Sequence, residues 1–414
     1  KARHGWAKAQ IIHPDLYEIL RDTEGVVVFH EQVIEIIATM TGVSLASADE
    51  KRRALGDRDG QQEVCDWFFP AATAKGYELP IVNEIWEVLR AFASFGFCKA
   101  HAAAFALPTY QSAWLKTHYP AAFLAGVLTH DPGMYPKRLI VDEVRQMGIA
   151  IAPLDVNASD SAYRVEDHGN AIRIALSTVA GISDAEVQSI IAGRPYIDLN
   201  DFVRRSGSST PVTESMILTG AFDSLHVDVN RRDLLLHFSD LQKSPGMAVS
   251  GAQMNLGFEP PALISSGLPA MTPAESVKYE VDRLGIDMSR HIIEFYGEFL
   301  NSIGAVRSSD LLKQRSQSSV LVAGIKVAMQ TPPVRSGKRV IFVTLDDGYG
   351  LSDSTFFTDV QGEYANVLYS TSLLLVRGVT RRTGARGISI RATGAWDLRA
   401  AYESWSTKQS TLAI

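Results

Sequence analysis

The stretch Gly96-Phe97-Cys98-Lys99-Ala100-His101-Ala102-Ala103-Ala104-Phe105, running into Tyr110-Gln111-Ser112-Ala113-Trp114-Leu115-Lys116, constrains this chain more than any other. A glycine turn delivers a lysine and a histidine to the start of an alanine-rich helix. Unpaired backbone N–H groups and the positive end of the helix dipole gather there, so the place suits an anion, a phosphate in particular. Lys99 adds a compact charge and His101 a donor of tunable protonation. A loop that merely leads into a buried helix, with Lys99 solvated and His101 capping locally, would carry the same residues.

The 414 residues have the room for two to four domains, and 46% hydrophobic against 21% charged residues is the balance of a soluble globular protein. A net charge of −6 argues against a uniformly basic coat for nucleic acid, but leaves room for local basic stripes on an acidic body. No apolar run reaches membrane-spanning length. Lys1 stands where an initiating Met would, which reads as a fragment or a processed chain. Cys65 and Cys98 form no CxxC pair and read as reduced thiols of a cytoplasmic protein. The ten histidines do not fall at metal-ligand spacing, so no metal-binding residues are assigned.

Phe29, Val33, Ile36, Ile37 and Met40 recur at helical spacing, with Gly42 as the stop. Ser47-x-x-Glu50 has the form of a capping box for a helix carrying Lys51, Arg52 and Arg53, at most two of which can face one ligand. A solvated helix face is the alternative. A helix is expected over Pro136–Met147 and a strand over Ile149–Leu154. Ser177 to Ile191 is close to a helix–hairpin–helix, whose turn at Gly181, Ile182 and Ser183 would offer N–H groups to a DNA phosphate. Ser183 stands where a second glycine is usual, and the turn wants positive φ. Pro211 to Leu225 reads as a partner hairpin. Residues 239–273 form a long connection rich in Ser, Gly and Pro. Inside it Gln253-x-x-Leu256-x-Phe258 has the pattern of a peptide that docks on a sliding clamp. A helix from Val277 leads into five β-rich runs, at Val320, Val340, Gly350, Leu373 and Ile388, which suggest an OB-type barrel. Between 364 and 402 six arginines (377, 381, 382, 386, 391 and 399) stand against one acidic residue, Asp397. With Tyr364 and Phe356 as stacking platforms, Arg377, Arg381, Arg382 and Arg386 suit single-stranded nucleic acid; a solvated β surface is the alternative.

The block GFCKAHAAAFALPTYQSAWLKTHYPAAFLAGVL resembles the fingers of the bacterial C-family DNA polymerases, the DNA polymerase III alpha-subunit type. Gly25 to Val33 and Ala48 to Gly56 match two further fingers blocks in order. DPGMYPKRLIVDEVRQMGIAIAPLDVN resembles the error-prone, damage-inducible branch. The resemblance implies a multidomain α+β chain: helical fingers over 1–130, a tandem helix–hairpin–helix region over 131–238, a linker with the clamp peptide over 239–300, and an OB domain over 301–414. It implies that Arg52, Arg53, Phe95, Lys99 and His101 meet the incoming dNTP, and that the hairpins and barrel meet primer–template DNA. A sliding clamp and a Y-family-like partner are further implied. The palm carboxylates that hold Mg2+ in this family lie upstream of the matching block, so this polypeptide is not expected to polymerise alone; Asp57-Arg58-Asp59-Gly60 reads as a polar turn. The alternative function is a non-catalytic DNA-binding scaffold of a repair complex.

Overall fold

The computed structural model describes residues 10–92, 97–133, 135–243, 262–332, 339–382, 384 and 387–412. Two compact units divide the chain, Lys1–Trp114 and Leu115–Ile414.

The first unit holds α1 (Tyr17–Leu20), α2 (His30–Thr41), α3 (Leu45–Ala54), α4 (Arg58–Ala74) and α5 (Leu79–Phe92). Three- and four-residue spacing puts Val33, Ile36, Ile37 and Met40 of α2 into one core with Phe68 of α4 and Ile85 and Leu89 of α5. Gly42 ends α2 at φ +76, the left-handed conformation that favours glycine. The expected box at Ser47 does not form. Helix α3 starts three residues earlier, at Leu45, and the Ser44 hydroxyl accepts the Ser47 N–H at 3.2 Å. Asp57 caps α4 by accepting the Gly60 N–H at 2.8 Å, so the acidic turn serves a helix start. Helix α6 (Lys99–His118) buries none of its 20 residues.

The second unit opens with α7 (Pro120–His130) and α8 (Lys137–Gln146). Strands β1 (Ala150–Ala152), β2 (Arg164–Glu166) and β3 (Ala171–Arg173) make a small sheet in the order β1-β3-β2. Helices α9 (Asp184–Ala192), α10 (Leu199–Arg205), α11 (Thr210–Leu218), α12 (Arg231–Lys243) and α13 (Pro273–Leu284) follow. Tyr196, Phe202 and Phe222 stack edge to face through their core, with centroids 5.0 and 4.9 Å apart. Two short helices, α14 (Gly297–Ser302) and α15 (Ser308–Leu311), lead into β4 (Ser319–Gln330), β5 (Ile341–Asp346), β6 (Leu351–Phe356), β7 (Leu373–Arg382) and β8 (Ile388–Asp397). These close into a barrel of order β4-β5-β6-β8-β7, as the OB-type expectation required. The first half of β4 pairs with β7 and the second half with β5. Val322, Val343, Leu345, Val376 and Ile390 fill the interior.

Two helices of this region escape the sequence pattern, α16 (Thr358–Ser370) between β6 and β7, and α17 (Leu398–Leu412). Helix α16 fully buries only Leu368, too little apolar periodicity to announce a helix. Phe356 is not a stacking platform. It ends β6 fully buried in the barrel, and strand alternation turns the next residue, Phe357, outward at 38% exposure.

Candidate nucleotide and nucleic-acid contacts

In the first unit the loop before α6 is tied to the start of α2. Phe29 and Phe97 form a parallel bridge, and the His30 N–H donates to the Phe97 carbonyl at 2.9 Å. Gln32 is buried and fully engaged: its Oε1 accepts from the Val28 and Phe29 N–H groups, and its Nε2 donates to the Ile19 carbonyl and the Thr23 hydroxyl. That fixes the turn from which Glu31 projects. The Glu31 carboxylate accepts the N–H of Lys99 at 2.8 Å, the N–H of Ala100 at 3.1 Å and the Cys98 thiol at 3.4 Å. Partial burial pushes this carboxyl up, but the N–H donors of Lys99, of Glu31 itself and of Ala100 outweigh it and hold it at about 2.

The anion position read from the sequence at this helix start is therefore filled by the chain's own carboxylate. What Lys99 offers a ligand is its side chain, exposed, with Nζ 5.9 Å from the Phe29 ring centroid. His101 is exposed between aromatic rings, 6.2 Å from Phe97 and 4.6 Å from Phe105, centroid to centroid.

The three basic residues of α3 diverge, as helical geometry demands. Lys51 lies over Trp67 at 5.1 Å. Arg52 and Arg53 both pair with Asp49, at 2.8 and 2.7 Å, and the Arg52 guanidinium in particular holds that carboxyl below its usual range. Arg52 is 23% exposed and lies 3.3 Å from Nδ1 of His30, the residue next to Glu31, whereas Arg53 is 73% exposed. The fold thus brings Arg52, Lys99 and His101 to the neighbourhood of the α2 start and leaves Arg53 outside. Phe95 lies outside the described residues.

In the second unit Gly181 sits at φ +80, a conformation other residues resist, and a Cβ there would touch nothing within 4 Å. Ser183 needs no positive φ. At −93° it is the extended cap of α9, in a capping box with Glu186. One Glu186 oxygen accepts the Ser183 N–H at 2.9 Å, and the other accepts the Ser209 N–H, also at 2.9 Å, clipping this loop to the one before α11. Partial burial again raises the carboxyl, and the backbone donors of Ser209 and Ser183 override it to about 2. Ala180 donates to the Arg283 carbonyl at 2.8 Å. Gly181 and Ser183 are exposed and Ile182 half-buried. Gly207 and Ser209, beside this loop, are exposed too, whereas Gly220, within the partner hairpin expected over Pro211 to Leu225, is buried.

On the barrel, Arg377 lies over Trp396 at 5.6 Å, and Tyr364 meets the same ring edge-on at 5.8 Å. Arg381 lines a cavity of about 600 Å³ with Phe357, Asp359, Arg391 and Thr393. Arg382 is spent locally, donating to the Leu312 and Gln314 carbonyls. Arg386, like Gln253, Leu256 and Phe258, lies outside the described residues. Glu31, Glu186, Phe357 and Trp396 were missed from sequence. Only Glu186 left a local signal, the Ser183-x-x-Glu186 spacing.

Comparison with known proteins matches residues 1–76 to the bacterial DNA polymerase III alpha subunit finger domain and residues 148–234 to a helix-hairpin-helix motif. An error-prone DNA polymerase of Symbiobacterium thermophilum is 32% identical over 94% of this chain and 40% of its own length. The DNA polymerase III subunit alpha of Pasteurella multocida is 31% identical over 88% of the chain and 33% of its own length. An error-prone DNA polymerase of Bdellovibrio bacteriovorus is 29% identical over 90% and 37%. The chain spans well under half the length of these relatives. A solved structure of RecG bound to a three-way DNA junction aligns with 23% of this chain and 15% of its own at a TM-score of 0.17 and 15% identity, which carries no argument. With one fingers match and one hairpin match in the expected order and relatives aligned over nearly all its length, the chain belongs to the bacterial DNA polymerase III alpha-subunit family, error-prone DNA polymerases included.

Proposed function

We infer that this chain is the fingers, tandem-hairpin and OB portion of an error-prone DNA-directed DNA polymerase acting in translesion synthesis and repair in the cytoplasm. The observation that carries the reading is the convergence on the start of α2 of Lys99, through Glu31, and Arg52, through His30. A triphosphate reaching this place would meet the Lys99 ammonium, the Arg52 guanidinium and the His101 ring, with Phe95 as a further contact and Arg53 turned to solvent. The helix N–H groups would join only if Glu31 moved aside.

The loops at Gly181–Ser183 and Gly207–Ser209 would hold duplex phosphates without reading bases. Arg377 on Trp396, with Arg381, would meet single-stranded template. The Gln253–Phe258 peptide would take the sliding clamp, or a Y-family-like partner would supply that contact instead.

Nucleotidyl transfer runs on Mg2+ held by oxygen ligands. Among the described residues one cluster has metal-binding spacing, Asp142, His291 and Asp346, and its imidazole does not fit Mg2+. By the family resemblance, the carboxylates that hold Mg2+ belong to the palm.

The test is steady-state primer extension by a full-length protein that carries the palm. Lys99→Ala should raise the apparent KM for all four nucleotides alike, since a phosphate contact carries no base information. Loss of a charge-assisted contact of about 1.5–3 kcal/mol lowers kcat/KM by roughly ten- to hundredfold. Lys99→Arg should rescue in part. Unchanged kinetics would favour the scaffold reading, because a scaffold has no use for a triphosphate contact.

A further inference from the structure

Asp142 on α8, His291 between α13 and α14, and Asp346 at the end of β5 come from segments far apart in sequence, and all meet within the second unit. Each is at most 2% exposed. Nε2 of His291 lies 3.7 Å from Oδ2 of Asp142 and 3.6 Å from Oδ2 of Asp346. All three of these atoms, and Oδ1 of nearby Asp287, are buried without a hydrogen-bond partner. A buried polar atom left unsatisfied is strongly disfavoured, and four in one place ask for a shared proton or a bound occupant.

The other half of each carboxylate is already engaged. Oδ1 of Asp142 accepts from Arg145 at 2.7 Å, and that guanidinium also donates to the carbonyls of Asp287 and Met288. Oδ1 of Asp346 accepts the Gly348 N–H at 2.9 Å. These bonds orient the free oxygens toward Nε2, as outer partners orient metal ligands. Asp347, next along the chain, is satisfied separately by the N–H and hydroxyl of Ser308.

Charge points the same way. Three carboxylates, Asp142, Asp287 and Asp346, are buried here and the Arg145 guanidinium pairs with Asp142, so with all three ionised and the imidazole neutral two negative charges lack a partner. A divalent cation cancels both. Ligands at about 2.0–2.1 Å from a tetrahedral zinc lie about 3.4 Å from one another, close to the two spacings found here. Nδ1 of His291 accepts the Ile293 N–H at 3.3 Å; a cation on Nε2 moves the ring proton to Nδ1 and gives up that one long bond in exchange for two neutralised charges.

We propose that Asp142, His291 and Asp346 bind one Zn2+-class divalent cation that joins helix α8 to the barrel strand β5, with Asp287 free to accept from a water on the metal. The site is structural and separate from the fingers residues of the proposed polymerase function.

The probe is Zn2+ itself, added to the 414-residue chain and followed by removal of loosely held metal with a weak chelator. Elemental analysis should find about one Zn2+ per chain, and the melting temperature should rise with zinc and fall with a strong chelator. X-ray absorption should show nitrogen and oxygen at about 2.0 Å and no sulfur at about 2.3 Å, which excludes Cys65 and Cys98 as the source. Asp142→Asn and Asp346→Asn should each lose the ion; where either fails to fold, the absorption spectrum of the unaltered chain decides alone. A chain that retains no zinc and melts at the same temperature with and without it would overturn the site, leaving protons shared among the three side chains. Zinc bound through sulfur, or retained equally by both folded variants, would overturn it as well.

Discussion

Two helix starts in this molecule, at α6 in the fingers unit and at α9 in the hairpin region, are built on the same chemistry and differ in where it comes from. Each holds backbone N–H groups on a glutamate kept at about 2, those of Lys99 and Ala100 on Glu31 and those of Ser183 and Ser209 on Glu186. At α9 the carboxylate belongs to the helix itself. Glu186 is its third residue and closes a capping box before reaching across to Ser209. At α6 the carboxylate arrives from another helix, 68 residues back along the chain. A local cap is part of the helix and readable in the sequence. A remote one exists only once the tertiary fold has formed, and it can leave without unwinding the helix it serves.

Substitution at the remote carboxylate should give the larger effect. Glu31→Ala strands two N–H groups and one thiol at an exposed helix start, and should lower unfolding free energy by about 1.5–2 kcal/mol in urea titration. Its pH dependence has a fixed sign. Because the folded-state pKa is depressed, Glu31's contribution is fully present above about 4.5 and is lost as pH falls toward about 2. The stability gap between the unaltered chain and Glu31→Gln should therefore narrow across that window; a gap that is flat with pH would deny Glu31 its role.

Glu186→Ala should come next, at about 1–1.5 kcal/mol, because two N–H donors on separate loops lose one shared acceptor. It should also loosen the two loops relative to each other, seen as faster amide exchange at Ser183 and Ser209 together. Exchange that accelerates at Ser183 alone would mean that the clip to Ser209 contributes nothing.

The smallest effects should come from the hairpin turn. Ser183→Ala removes only the hydroxyl half of the box, about 1 kcal/mol, and Ser183→Gly a few tenths. Gly181→Val strains a φ of +80 without any clash, so duplex affinity should fall more than stability does. If Ser183→Gly improves DNA binding, the glycine usual at that position is there for the ligand and not for the turn.

How far the sequence reached follows from the same distinction between local and distant partners. The five strands of the barrel were legible because alternation is local, and so were α2, with its stop at Gly42, and the hairpin around Gly181. The box at Ser47 was misread because Ser44 offers the same hydroxyl three residues earlier, and the turn chemistry cannot tell which serine wins. Phe356 and Arg382 were assigned to nucleic acid by composition alone. One is turned into the barrel by strand parity, and the other is bound by carbonyls about 70 residues upstream in the chain. The basic run at 51–53 was read correctly as unable to act together, but only the fold could say that Arg52 is the one drawn toward α2. Asp142, His291 and Asp346 were invisible, since no spacing rule joins residues about 150 and 55 positions apart.

The way β4 is shared has a consequence for how anything can attach to the barrel. By pairing with β7 along its first half and β5 along its second, this strand closes the sheet into a barrel, and among the described residues only short stretches of edge stay open, as where β6 and β8 meet over two residue pairs. A visiting segment therefore finds little free edge on which to add itself as another strand, and so does a second copy of the barrel. Docking there falls mainly to side chains and loops, which makes the identity of a few outward residues, more than backbone pairing, the determinant of what the barrel holds.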